Sequence, residues 1–168
     1  MDTFDAIRTV LAVRSFRDTR IPDAVERQIV EAGRLTASSM NGQPWRFIVV
    51  RDKETLRKLA GAAPTGRYIE QAPLAIAVAI TDSPFGVSDA SRAIQSMMLT
   101  AWSHGVGSNW VGFHRLDAAK PILGLPDDLD LLALVPFGYP VASLGAGRKK
   151  RKPLGEVVSS ERFGQPYL

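Results

Sequence analysis

Ser38-Ser39-Met40-Asn41-Gly42-Gln43-Pro44-Trp45 runs straight into Arg46-Phe47-Ile48-Val49-Val50, and the reading of the chain turns on that junction. From Trp45 to Val50 the residues are β-branched or aromatic over a short span, which predicts a strand. The residues before it are small and polar, the chemistry of a turn. They also set two hydroxyls and two side-chain amides directly ahead of a strand, donors and acceptors suited to a polyol or the edge of a heterocycle. A plain turn and a ligand-holding loop both fit these residues.

Upstream, Asp2 or Thr3 is placed to cap a first helix with Phe4, Ile7, Val10 and Leu11 on one face. Pro22-Asp23 starts a second, in which Val25, Ile29, Ala32 and Leu35 recur at three and four. Downstream, Asp52 caps a short helix carrying Leu56 and Leu59, and Leu74 to Ile80 is a continuous apolar run suited to a strand buried on both faces. Ser88-Asp89 opens the longest helix, apolar nearly all round, which Gly105 stops after His104. A strand near Asn109 to Phe113, a short helix capped by Asp117 with Pro121 inside it, and a last strand from Leu131 to Phe137 complete the pattern. With no internal repeat or linker, the expectation is one α+β domain over residues 1–168. Its tail, carrying Leu154, Val157, Val158 and Phe163, is too apolar to float in water and is expected to pack on something, a partner subunit included.

Composition narrows the chemistry. At 168 residues, 45% hydrophobic and 23% charged, the chain has the make-up of one globular domain. The absence of cysteine removes disulfides, thiolate zinc sites and cysteine nucleophiles. The acidic start, Met1 to Asp5, does not read as a signal peptide, and no apolar stretch approaches a membrane span, so the cytoplasm is the expected location. The net charge of +4 comes from one place: Arg148-Lys149-Lys150-Arg151-Lys152 holds five of the 21 basic residues, and without it 16 basic residues face 17 acidic ones. Such a cluster is a solvated tail, a localisation or nucleic-acid patch, or the grip on a phosphorylated ligand.

Several familiar sites fail on spacing. Gly105-Val106-Gly107-Ser108-Asn109-Trp110-Val111-Gly112 places its last glycine two residues late for G-x-G-x-x-G and follows a helix where that fingerprint opens one. There is no phosphate-binding G-x-x-x-x-G-K-[ST] and no H-E-x-x-H. His104 and His114, the two histidines, lie ten apart without a clear carboxylate partner, so no metal is expected. Ser103 and His104 point in different directions on a helix and form no nucleophile–base pair.

Taken in order, the remaining segments resemble the FMN-dependent nitroreductase family. The family shares a helix–R-x-F–P start, here Arg14, Phe16 and Pro22; a P-S-x-x-N-x-Q-P-W stretch, here Ala37 to Trp45; a core helix ending in G-x-G-S and then W-x-G, here Gly105 to Gly112; a G-Y-P turn at Gly138 to Pro140; and K-R-K-P-L at Lys150 to Leu154. The likeness covers nearly the whole chain. It implies a central, mostly antiparallel sheet flanked by helices, in an intertwined homodimer with two FMN sites at the interface and C-terminal tails (149–168) reaching across. Residue by residue, Arg14 with Ser15 beside it and Arg151 match groups near the FMN phosphate and ribityl chain, with Lys149 a looser match. Ser38, Ser39, Asn41 and Gln43 match polar groups supplied by the other subunit. Trp110, Val111 and Gly112 match the backbone facing the flavin ring near N5, where an amide N–H tunes the electron density.

The chain departs from the family at Val10-Leu11-Ala12, where R-R-S is usual, so one phosphate-side arginine and a serine hydroxyl are missing; Arg8 and Arg17 are the candidates to compensate. Ala37 replaces a proline, and Thr81 to Ser88 leaves no room for a large lid. The implied activity is ping-pong hydride transfer from NADH or NADPH through flavin N5 to a nitroaromatic, quinone or similar acceptor, with no side chain required as catalytic acid or base. Three alternatives remain: another reaction on the same scaffold (dehalogenation, ene reduction, flavin breakdown), a flavin-storage protein without turnover, and a basic nucleic-acid-binding domain. The last lacks base-stacking aromatics around its cluster.

Overall fold

The computed structural model describes residues 1–112, 116–142, 144 and 149–167. Its centre is β2 (Leu74–Thr81), whose apolar run lies between two antiparallel neighbours, β1 (Trp45–Val50) and β4 (Leu129–Gly138). A short β3 (Gly107–Ser108) pairs with the far edge of β4, giving the order β1-β2-β4-β3. Register is fixed by apolar pairs such as Phe47 opposite Val78, and a shift between Val78 and Ala79 leaves Leu132 unopposed. The sheet is antiparallel throughout, and with helices on both sides the architecture is α+β, as expected.

The alternation of β2 feeds two cores. Ile76, Val78 and Ile80 face α2 (Asp23–Arg34) and α4 (Gly86–Ser103), where Ile29, Ile94 and Met97 are buried. Ala75 and Ala77 face the other way, onto Leu56 and Leu59 of α3 (Lys53–Ala62) and onto Ile69, Val111 and Leu116. The α2–α4 contact is close because position 33 is glycine: a Cβ there would meet Met97 Cγ and Sδ at 3.0 Å. α3 starts where Asp52 accepts from the Thr55 amide at 2.8 Å, the expected cap. α4 stops at Gly105, whose φ of 73° lies in the left-handed region that glycine adopts without strain.

Four details differ from the sequence reading. α1 (Thr3–Thr9), capped by Asp2, buries Ala6 rather than an apolar stripe; Phe4 and Ile7 are exposed. The strand expected over 109–113 is displaced: pairing begins at Gly107, and Val111 makes only an isolated bridge to Leu134. Phe113 lies outside the described residues. The helix carrying Pro121 is two 3₁₀ turns, Asp117–Ala119 and Pro121–Leu123, because proline has no N–H to continue a helix through its position. The tail contains a one-turn α5 (Leu154–Val157) with none of its residues buried.

Candidate functional site

The stretch from Ala12 to Arg17 is laid along the sheet edge rather than at a helix end. Ala12 bridges Ser108, the Val13 amide donates to Ser108 O at 2.9 Å, and the Arg17 amide donates to Tyr139 O at 2.8 Å. Val13 and Phe16 point into a small core with Ala72, which leaves Arg14 and Ser15 exposed between them. Two glycines make this close approach possible: a Cβ on Gly107 would lie 2.3 Å from Val13 Cγ2, and one on Gly138 would lie 2.8 Å from Phe16 Cδ1. Arg14 and Ser15 line a cavity of about 210 Å³ with Pro140, Val141, Ala142 and Leu144. A second of about 370 Å³, reaching Arg17 and Trp102, shares Pro140, Ala142 and Leu144 with it.

The donors here suit an anion. Among the described residues Arg14 makes no hydrogen bond or ion pair, so its guanidinium keeps all its donors. Lys149 donates to Ile7 O at 2.5 Å, at the C-terminal end of α1, and Arg151 donates to Lys150 O at 3.1 Å. Burial, and then the Arg151 charge, push the Lys149 ammonium below its ordinary value, and no carboxylate pairs with either group among the described residues. A bound phosphate would supply the missing negative charge. The two substitutes expected for the absent arginine are both engaged: Arg8 pairs with Asp5 at 2.7 Å, and Arg17 donates to Pro140 O at 2.8 Å. Arg148 and His114 lie outside the described residues; His104 is the exposed C-cap of α4.

The loop Ser38–Gln43 lies elsewhere. Ser39–Asn41 forms a 3₁₀ turn, and Met40, Asn41 and Gln43 all have left-handed φ, of 51°, 55° and 47°. Non-glycine residues adopt that conformation at a cost, and runs of them collect at functional sites. The loop is tied internally: the Gln43 amide donates to Ser38 Oγ at 3.0 Å, and Gln43 Nε2 donates to Asn41 O and Oδ1, both at 3.2 Å. Ser39 is tied outward, its N–H and hydroxyl both donating at 3.0 Å to the carboxylate of Asp89, which Arg92 also contacts. In the sequence Asp89 reads as part of a helix start; only its contact with a residue 50 positions away reveals its tie to the loop.

Along Trp110-Val111-Gly112 the roles divide. Val111 is buried, and its N–H and C=O exchange hydrogen bonds with Leu134 at 3.0 and 2.9 Å, so it serves the sheet. Gly112 makes no hydrogen bond among the described residues, and a Cβ on it would meet Leu132 O and Trp110 Nε1, each at 2.6 Å. Its amide is therefore available on a backbone closely backed by the sheet. Next to it, Asn109 donates to Tyr68 Oη.

The structure does not bring these groups together within one chain. The loop is fastened to Asp89 in the first turn of α4, whereas the Arg14 segment lies by Trp102 at its end. Those two residues are 13 apart on the helix, about 20 Å at 1.5 Å per residue.

The fold and donors thus define an α+β protein with a cationic sheet edge and a separate, strained polar loop. The sequence profile of the nitroreductase family matches residues 8–66 and 65–139, nearly all of the region that holds these features, and the chain belongs to that family. It is 32% identical over 154 residues to a "Putative NADH dehydrogenase/NAD(P)H nitroreductase" of Methanothermobacter thermautotrophicus, covering 86% of this chain and 81% of the relative. It is 28% identical to an FMN reductase [NAD(P)H] of Bacillus subtilis, covering 84% and 65%. Among solved structures, a "putative nitroreductase in complex with fmn" from Desulfovibrio desulfuricans superposes with a TM-score of 0.82 at 28% identity, covering 97% and 98% of the two chains. Among the described residues, no helix is long and apolar enough to cross a membrane, and no cluster of His, Cys, Asp and Glu could hold a metal ion.

Proposed function

We propose that this chain is an FMN-dependent NAD(P)H oxidoreductase that works as a homodimer. The observation that carries the dimer is the separation along α4: cation edge and polar loop stand about 20 Å apart in one chain, so a second copy must bring its loop to the first copy's edge. Exposed apolar side chains supply a surface for that association: Phe4 and Ile7 on α1, and Leu154, Val157 and the fully exposed Phe163 in the tail. Residues 1–168 then act as one FMN-binding domain whose tail, 149–168, crosses to its partner. The working location is the cytoplasm, where reduced nicotinamides are made.

In this reading Arg14, Lys149 and Arg151 hold the phosphate, with Ser15 beside them. Ser38, Asn41 and Gln43 of the opposite copy offer hydroxyl and amide groups to the ribityl chain and ring edge. The Gly112 amide, without a partner among the described residues, donates toward the flavin ring, while Val111 and Ser39 act by holding their backbone in place. Bound FMN would supply the redox chemistry, a hydride transfer between NADH or NADPH and a nitroaromatic, quinone or similar acceptor. The protein's part is to orient the isoalloxazine, set its electrostatics and leave room above it for each partner in turn. No acid or base is needed from a side chain.

The visible spectrum of the purified protein, followed by titration with FMN, tests the reading. A yellow protein, or one that takes up added FMN and then oxidises NADH or NADPH only with a quinone or nitroaromatic present, is the expected result. A colourless protein that refuses FMN refutes it. Flavin uptake without turnover replaces it with a storage role.

A further inference from the structure

We propose that Asp89 is a positioning residue for the cofactor: from inside the fold it holds the strained Ser38–Gln43 loop in the shape that presents the Asn41 and Gln43 amides. The proposal rests on the preceding reading of that loop as a flavin contact. Asp89 sits in the first turn of α4 and is 1% exposed, so its carboxylate has left water almost entirely. Such burial is tolerated only when the charge is well met by donors. Those donors come from the loop: the Ser39 N–H reaches Oδ2 and the Ser39 hydroxyl reaches Oδ1, both at 3.0 Å. The Arg92 guanidinium meets Oδ1 from one turn along the helix and approaches Ser39 Oγ at 3.5 Å.

The position of this clamp matters more than its strength. Ser39 is the residue immediately before Met40 and Asn41, both left-handed, and Gln43 is left-handed again. Three such residues within four positions would relax toward ordinary backbone if nothing held them. The internal bonds, Gln43 N to Ser38 Oγ and Gln43 Nε2 to Asn41, close the loop on itself but attach it to nothing. Asp89 supplies the attachment, so the direction in which the two amides point is set by a carboxylate that touches neither. Pre-organising a polar edge in this way lowers the ordering cost of ligand binding.

Asp89→Asn keeps the side chain's shape but replaces one acceptor oxygen with an NH₂ group facing donors. FMN affinity should fall roughly tenfold to a hundredfold, the size of one or two hydrogen bonds to a charged group. The variant's flavin absorption band and midpoint potential should move in the same direction as those of Gln43→Ala, a change that general loosening of the fold would not produce. The double variant should lose less affinity than the product of the two single losses, since both act through one loop. Ser39→Ala, which removes the hydroxyl bond and keeps the amide bond, should lose roughly threefold to tenfold, and it serves as the test if Asp89→Asn fails to fold. Wild-type affinity and spectrum in both variants, or losses that multiply, overturn the proposal while leaving the flavin assignment intact. A wild-type protein that takes up no FMN overturns both.

Discussion

Gly107→Ala tests how the cation edge is built. An added Cβ would lie 2.3 Å from Val13 Cγ2, 2.8 Å from Val13 Cβ and 3.1 Å from Val13 Cγ1. Rotation about χ1 can move the two methyl groups but not Cβ, and Val13 is buried and β-branched, so its rotamer is already constrained. The backbone must give instead. Overpacking of this kind costs about 1–3 kcal/mol, and the strain falls on the hydrogen bond from the Val13 amide to Ser108 O at 2.9 Å, worth about 1 kcal/mol. A total loss of about 2–4 kcal/mol follows, read by urea unfolding. Because Arg14 and Ser15 directly follow Val13, FMN affinity should fall roughly tenfold as one charge-assisted contact is displaced. Val13→Ala removes both methyl groups; alone it costs about 1.5–2 kcal/mol in lost burial. In the Gly107→Ala background it should cost at least about 1 kcal/mol less, because it relieves the two Cγ contacts. Strictly additive losses, or a Gly107→Ala protein within about 0.5 kcal/mol of wild type with unchanged FMN affinity, would mean that the Gly107–Val13 contact does not shape this edge.

Arg14→Ala and Arg151→Ala should each weaken FMN binding roughly tenfold to a hundredfold, with Arg148→Ala losing much less; equal losses at 148 and 151 would mean that the cluster acts only as diffuse charge. Removing residues 154–168 should convert a dimer to a monomer in sedimentation velocity, and a truncated chain that stays dimeric would argue against the crossing tail. Burial pushes the Asp89 carboxyl up, but the Ser39 N–H, the Ser39 hydroxyl and the Arg92 guanidinium outweigh it and hold it below the ordinary 3.8. A lowered value in the folded state means that Asp89 stabilises the fold fully above pH 3.8 and stops doing so as the pH falls through its folded value. The stability gap between wild type and Asp89→Asn should therefore be widest near neutrality and narrow below pH 3.8; a gap independent of pH would contradict the assignment.

The parts of the fold legible in the sequence were those governed by local periodicity. The apolar run Leu74–Ile80 announced a strand buried on both faces, and its alternate residues do enter two cores. Asp52 announced a cap that the Thr55 amide confirms. The α1 stripe misled because apolar spacing says which residues share a face, not what covers it: Phe4 and Ile7 are exposed in a single chain. The displaced strand near Asn109 failed for a different reason. Val111 pairs with Leu134 across a gap of more than 20 residues, and such pairing is decided by the sheet rather than by local propensity.

For the site, the chemical inventory is legible in the sequence: the cations Arg14, Lys149 and Arg151, the hydroxyls and amides of Ser38 to Gln43, and a glycine at 112. What each group is free to do depends on the folded chain. Val111 and Ser39 spend their donors on Leu134 and Asp89, Arg8 and Arg17 are engaged with Asp5 and Pro140, and among the described residues Arg14 and Gly112 keep theirs. The physical reason is that residue type fixes how many donors and acceptors a group has, while their consumption depends on partners that folding brings from 50 or 123 positions away.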